Sequence, residues 1–351
     1  MEQWPVDLMT TVRRRRTSGP RPLSSALTLA VVVVLAAGCG GASDHGATGR
    51  TTTTVARTTT TSAVPSPWSA PSAPVDPVHP ITAVSCPART FCLALNASDA
   101  AYRYNGTSWS APLTVAVGAP APTEAAVVSC TGPSFCMAVP GGDEVVEWNG
   151  FGWADAQTLG GAQGLQALAC GTGAFCVAVD GVGDAYFYTG SWSSAVNAWG
   201  GPSDISCVSF TFCMATIGGT AEWNGQLWSQ PDDVDTSGQL DAVSCAGPSF
   251  CVAADTSGNI LAWNGSSWSV PQPVDPATSG AVGGNELTSV SCVGSTFCVA
   301  VDSGGRALTF DGTTWSKPAD IDGTTGLVAV SCATTSFCLA IDHRGRVLTY
   351  S

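Results

Sequence analysis

Between residues 68 and 351 the chain writes, seven times, a variant of V-S-C-x5-C-x-A-x-D-x-x-G, usually followed by W-N-G-x-x-W-S-x-P. The cysteine pairs are Cys86 and Cys92, Cys130 and Cys136, Cys170 and Cys176, Cys207 and Cys213, Cys245 and Cys251, Cys292 and Cys298, and Cys332 and Cys338. Successive first cysteines are 44, 40, 37, 38, 47 and 40 residues apart. A unit of this length that recurs cannot bury its hydrophobic face alone, so it must stack against copies of itself. The period is that of a four-stranded blade in a radial β-architecture.

Each unit supplies four strands in order. The first ends in V-S-C, as at Val243-Ser244-Cys245, and the second starts at Phe250-Cys251. The third runs into Trp263-Asn264-Gly265, where Asn-Gly suits a two-residue type I′ hairpin turn. The fourth carries Trp268-Ser269-Val270-Pro271, and a proline without a donor belongs on an edge strand. A β-sandwich offers the same short strands but has no reason to repeat one unit seven times.

The termini say how the array closes. The last unit stops at Ser351 after three strands, and the missing W-S-x-P piece stands before the first unit as Trp68-Ser69-Ala70-Pro71. Seven outer-strand tryptophans (Trp68, Trp109, Trp153, Trp192, Trp228, Trp268, Trp315) therefore match seven cysteine pairs, offset by one strand. The expected fold is all-β: a seven-bladed β-propeller with four antiparallel strands per blade, closed by the N-terminal strand pairing into the last blade. On these residues the chain resembles the seven-bladed β-propellers, and more loosely the Cys- and Trp-rich repeat lipoproteins of actinobacteria. It matches neither the kelch nor the WD40 signature, so neither family's partners carry over.

Fourteen cysteines in seven C-x5-C pairs allow many connectivities, of which the within-pair one is the simplest for a repeat. A structural zinc site is disfavoured because residues 68–351 hold only His79 and His343, and the pairs stand on separate blades. Redox catalysis favours C-x-x-C, which is absent. Seven structural disulfides, no metal and no cofactor are expected, and a chain so rich in cysteine belongs in an oxidising compartment.

The fifteenth cysteine is Cys39. Arg13, Arg14, Arg15, Arg16 and Arg21 precede an uncharged run at 23–38, which has 16 residues and is shorter than a bilayer crossing. The segment closes with Leu35-Ala36-Ala37-Gly38-Cys39, which resembles the lipobox of bacterial lipoproteins, with Ala36 where leucine is commoner. The resemblance implies acylation of Cys39, which becomes the mature N-terminus. A retained membrane helix is the alternative. The arginine run also hints at twin-arginine export, but the hydrophobic residue that usually follows the pair is missing. Residues 1–38 thus read as a lipoprotein signal peptide and 39–67, rich in Thr, Ser and Pro, as a disordered tether to a propeller at 68–351. The expected location is extracytoplasmic, with the membrane reached through the lipid.

Charge is unevenly spread. The chain carries a net charge of -13, but from residue 68 onward there are 23 acids and 6 bases. Between Arg103 and Arg306 there is no Lys or Arg and there are 17 acids. Ring closure gathers every base into one sector. This field argues against a nucleic-acid partner. In an up-and-down blade, the loop between second and third strands shares a face with the blade-to-blade connections. Asp180, Asp255, Asp302 and Asp342 fall in that loop, and Asp76, Asp235, Asp275 and Asp322 in or before the connections. Arg306, Arg344 and Arg346 lie close by, so this loop face is the expected ligand surface, with an anion-accepting patch at the arginines. The competing reading is that the repeated aspartates cap their own turns.

Asp233-Val234-Asp235-Thr236-Ser237-Gly238 is similar to the start of a calcium loop, with Asp241 at its ninth position, but the twelfth is Ser244 rather than a bidentate Glu. An EF-hand is excluded, and a weaker calcium site stays open. No nucleophile or acid/base pair stands out, so no catalytic residue is assigned. The arginine cluster is similar to that of sialidase-like propellers, and Asp311 to Trp315 writes D-G-x-x-W, faintly like an Asp-box. A glycoside hydrolase or lyase is the enzymatic alternative. The leading reading is a monomeric, noncatalytic module for a cell-envelope protein or glycan, and a structural or assembly lipoprotein is the third class.

Overall fold

A computed structural model describes residues 66–351, except 97, 99, 116–125, 198, 237 and 277–284. The expected export signal, Cys39 and nearly all of the tether lie outside the described residues. Among the described residues no helix is long and apolar enough to cross a membrane.

The chain forms seven antiparallel sheets arranged as a ring of blades. Blade one runs Ile81–Ala88, Phe91–Asn96, Ala100–Tyr104 and Leu113–Thr114, each strand pairing with the next. The same order recurs from Val127–Gly132 through to the last blade, whose strands are Leu327–Thr334, Phe337–Asp342 and Val347–Tyr350. Second strands such as Phe175–Asp180 and Phe337–Asp342 are buried along their whole length. They are covered on both faces by neighbouring blades, so they read as continuous apolar runs rather than alternating ones.

The core is correspondingly divided into layers between consecutive blades. Leu93, Leu95 and Ala101 of blade one pack on Val128, Ala138 and Trp148 of blade two. Leu339, Ile341 and Val347 of blade seven pack back on Ala94 and Tyr102 of blade one.

Closure by the N-terminal segment is direct. Trp68 pairs with Tyr350, and the Ser69 and Ser72 backbone N–H groups donate to the carbonyls of Thr349 and Val347 at 2.8 and 2.9 Å. The Trp68 ring is 7% exposed and lies in the layer holding Phe297, Val299 and Leu348. The outermost strand of the last blade is thus supplied from the other end of the chain, which removes the open edge that the terminal sheet would otherwise present.

All seven expected disulfides are present, from Cys86–Cys92 to Cys332–Cys338, each with a sequence separation of 6. Paired cysteines stand directly opposite one another, as in Cys245↔Cys251, with Cα atoms 3.9–4.1 Å apart. Such a close pair is of the non-hydrogen-bonded kind, so the first cysteine's N–H points off the hairpin. There it meets the serine of the preceding blade's V-S-C. The N–H groups of Cys86, Cys130, Cys170, Cys245, Cys292 and Cys332 donate to Ser331, Ser85, Ser129, Ser206, Ser244 and Ser291 Oγ at 2.9–3.0 Å. Blade three writes Ala169 in place of that serine, and its junction with blade four is made by the Thr172 N–H donating to the Val208 carbonyl at 3.1 Å. Gly171 allows this approach, since a Cβ there would stand 2.8 Å from the Val208 backbone.

The turn before the outer strand differs from the expected type I′ hairpin. Only its glycine has positive φ, as at Gly106 (+98°) and Gly265 (+94°), and the preceding Asn does not. Instead Asn105 Oδ1 accepts the N–H groups of Thr107 and Ser108 at 3.0 and 2.9 Å, closing a longer loop before the Tyr104↔Trp109 pair. Asn is selected for its side-chain acceptor rather than for left-handed backbone. Asp311 fills the same role, with Thr313 and Thr314 donating at 2.9 and 2.8 Å, so D-G-x-x-W is a turn of the repeat.

Candidate functional site

Asp180, Asp255, Asp302 and Asp342 end their second strands and are wholly buried. In each, Oδ1 accepts two backbone N–H groups of the following loop. Val182 and Asp184 donate to Asp180 at 3.1 and 2.8 Å, and Arg344 and Arg346 donate to Asp342 at 2.9 and 2.7 Å. Asn96 caps the corresponding loop of blade one through Ser98 and Ala100. These carboxylates are therefore turn caps first, as a short acidic side chain before a loop ordinarily is.

The second carboxylate oxygen faces the connection from the preceding blade, and there the arginines enter. Arg306 Nε donates to Asp302 Oδ2 at 2.6 Å and its Nη2 to Asp275 at 3.0 Å. Arg346 repeats the arrangement with Asp342 at 2.6 Å and Asp322 at 2.7 Å. The three arginines of the expected anion-accepting patch are placed differently from one another. Arg306 starts its third strand and Arg346 immediately precedes its own, each beside a buried aspartate pair that binds its guanidinium group. Arg344 is exposed and, among the described residues, makes no ion pair.

Two acids and one arginine leave each constellation one negative charge in excess. Burial, with Asp302 beside it, pushes Asp275 up to about 7 against the pull of Arg306. Burial and Asp342 push Asp322 up to about 6 against Arg346. In blade five the arginine's place is taken by Asn259, whose Nδ2 donates to Asp255 Oδ2 at 2.6 Å, and burial together with the neighbouring Asp235 carboxyl raises Asp255. In blade one Asp76 receives Tyr102 OH and Asn96 Nδ2 at 2.8 and 2.9 Å. The His79 and Val78 N–H groups hold Asp76 down to about 2. Connection aspartate, strand-end cap and a third-strand partner form one recurrent lock between blade and connection.

The residues read as a calcium-loop start do not assemble one. Asp235 is buried against Asp255, Asp233 is exposed, and Ser244 Oγ accepts Cys292 N–H. Among the described residues no three His, Cys, Asp or Glu side chains converge as a metal set.

Open clefts lie where adjacent blades meet. One, about 930 Å³, separates the outer strands of blade four from those of blade five. Its floor is Met214 with Trp263 and Trp268, whose rings are 5.8 Å apart, and its wall carries Glu222, Asp232 and Asp233. A cleft of about 470 Å³ between blades five and six is lined by Phe310, Trp315 and Lys317, and another between blades two and three by Phe135, Phe175, Tyr188 and Glu147. In the latter, Tyr188 OH donates to Glu147 at 2.7 Å. Glu222 occupies Glu147's place in the repeat, but the aromatic opposite it is Trp263, whose indole N–H already donates to the Pro248 carbonyl at 3.0 Å. Glu222 thus lacks the donor that its counterpart has, and burial raises its pKa. The sequence reading missed these clefts because they arise where two blades meet; the recurring Trp-x4-Trp was their only sequence signal.

The fold and its sites are those of a seven-bladed β-propeller. No protein-family model matches the sequence, and no curated protein matches it. Solved structures do. YCF48 bound to D1 peptide superposes with a TM-score of 0.64 at 14% identity, covering 82% of this chain and 98% of that one. YCF48 from Cyanidioschyzon merolae gives 0.58 at 14% identity over 81% and 98%. The RRP9 WD40 repeats give 0.65 at 12% identity over 80% and 98%. At such identities the likeness is one of fold.

Proposed function

We propose that the chain is an exported lipoprotein, acylated at Cys39, whose propeller is a noncatalytic binding module for a protein or glycan of the cell envelope. The observation that carries this reading is the set of aromatic-lined clefts between disulfide-closed blades, one of them about 930 Å³ and open at the rim. Concave, partly apolar surfaces with a few polar groups are where ligands seat. Seven disulfides support an oxidising compartment. A structure of similar fold holding a peptide supports a segment of protein as ligand. The aspartates of the loop face are engaged by turns and arginines, which leaves that face as scaffold and Arg344 as its exposed cation.

Two measurements test the reading. Metabolic labelling with an alkyne-tagged fatty acid is expected to tag the full chain and to leave Cys39→Ser untagged. Photo-crosslinking from Val270, 77% exposed on the rim of the cleft between blades four and five, is expected to trap a discrete envelope protein or glycan. Turnover of a fluorogenic glycoside panel, with no envelope component trapped, would establish the enzymatic alternative instead.

A further inference from the structure

The clefts between blades four and five and between blades five and six are the same element of the repeat, Glu222 and Trp263 of the first standing where Ala262 and Phe310 stand in the second, whereas the cleft between blades two and three shares those strand positions but opens toward the hairpin turns of blade three. The cleft between blades two and three satisfies its glutamate internally through Tyr188. The cleft between blades five and six carries Lys317 and no acid. The cleft between blades four and five carries Glu222, Asp232 and Asp233, and no lysine or arginine lines it. None stands in the chain between Arg103 and Arg306, so blades four and five contain no cation to send there.

Three carboxylates line one wall with no cation among them, and Glu222 is half-buried without a hydrogen-bond partner for its carboxylate among the described residues. A ligand that brings positive charge and N–H donors complements both. Opposite that wall, Trp263 and Trp268 present tilted rings 5.8 Å apart with Met214 between the blades. An indole face accepts a cation and the methylene stem behind it. A neutral sugar also stacks on indole but leaves the three like charges uncompensated. The cleft extends from Ser266 and Ser267 at the turn end of the blade to Val234 and Thr236 at the connection end, which suits an extended chain.

We propose that this cleft seats an extended peptide segment carrying lysine or arginine, its cations held by Glu222, Asp232 and Asp233 and their stems laid on Trp263 and Trp268. The inference rests on the binding-module reading and specifies its ligand.

The test uses the full chain and fluorescence anisotropy with a labelled alternating lysine-alanine octapeptide, its glutamate counterpart, and chitohexaose as competitor. The lysine peptide is expected to bind and to weaken as salt rises. The triple variant Glu222→Gln, Asp232→Asn, Asp233→Asn is expected to lose about tenfold or more in affinity, the loss of roughly one well-placed charge contact. A control that removes the same number of charges elsewhere, Asp155→Asn, Glu286→Gln, Asp320→Asn, is expected to stay within about twofold, since these acids lie outside the cleft. These substitutions are isosteric, and an unchanged thermal midpoint confirms that the fold is kept. Equal losses in both triple variants, equal binding of the glutamate peptide, or competition by chitohexaose would overturn the proposal. If the cleft variant still traps its envelope component from Val270 with full yield, the cleft assignment falls while the binding-module reading stands.

Discussion

The backbone N–H of Cys86 donates to Ser331 Oγ at 2.9 Å, joining the first blade to the last across 245 residues of sequence. The same bond, from the first cysteine of one blade to the V-S-C serine of the blade before, recurs at five other junctions. The disulfide sets it up, because a directly opposed cysteine pair turns its N–H away from the hairpin. Ser331→Ala removes the acceptor and leaves a partly buried donor unmet. The expected loss is about 1 kcal/mol, measured as a lowered urea midpoint with unchanged slope.

Trp68 closes the ring from the opposite end. Its buried indole meets Tyr350 edge-on at 5.4 Å and packs with Phe297. Trp68→Ala is expected to destabilise the domain by about 3–5 kcal/mol, as large-to-small changes at buried aromatics do. An exposed tryptophan such as Trp199 offers the contrast: Trp199→Ala is expected to shift the urea midpoint little.

The arginines divide by burial rather than by position in the sequence. Arg346→Met leaves Asp322 and Asp342 facing each other without a cation, and a loss of about 3 kcal/mol is expected. Adding Asp322→Asn to Arg346→Met is expected to recover part of that loss. Arg344→Ala, exposed and outside any ion pair among the described residues, is expected to change stability by less than about 0.5 kcal/mol. Equal effects of the two arginine substitutions would contradict the assignment.

Stability is expected to fall as pH rises from about 4 to 7. Burial raises Asp204 to about 7 from an ordinary 3.8, Asp275 stands at about 7 and Asp322 at about 6. Between the two values the unfolded chain has released these protons while the folded chain still holds them, so stability drains through that window and levels off above it. Asp76, held at about 2, acts in the opposite sense: its contribution is present above pH 4 and lost as pH falls toward 2. Asp204→Asn keeps an acceptor for only one of the N–H groups of Ile205 and Val243, which bond separate carboxylate oxygens, so it is expected to lower stability at every pH while flattening the slope between pH 4 and 7. A urea midpoint that stays level or climbs across that window would exclude the assignment.

What the sequence made legible follows from what a repeat encodes. Each V-S-C-x5-C places two cysteines on adjacent strands of one hairpin, which makes the within-pair disulfide the simplest of the many connectivities, and the displaced Trp68 signals closure in the sequence itself. Partners across blades are different. Ser331 and Cys86 meet only because the ring curves back, and nothing near either residue says so. The arginines are a related case. Arg306 and Arg346 stand four residues after Asp302 and Asp342, a spacing that shows proximity, but their burial depends on Asp275 and Asp322 arriving from the connections. The serine of W-S-x-P was visible as a repeat but not as a function. Ser69, Ser110, Ser193, Ser229, Ser269 and Ser316 each accept an N–H from the third strand at 2.9–3.0 Å, which fastens an outer strand that has little backbone pairing of its own.

The most direct test of the central claim, an exported ring in which every blade is closed on itself, is a tryptic map of the protein taken from the cell envelope. The digest is made without reduction, after alkylation of any thiols. Cleavage at Arg57, Arg89, Arg103, Arg306 and Arg344 puts Cys86 in 58–89, Cys92 in 90–103, ten cysteines in 104–306, and Cys332 with Cys338 in 307–344. Within-blade pairing is expected to link only 58–89 to 90–103, with no alkylated cysteine among the fourteen. A link from 58–89 or 90–103 to 307–344, or alkylated cysteines in 104–306, would contradict it.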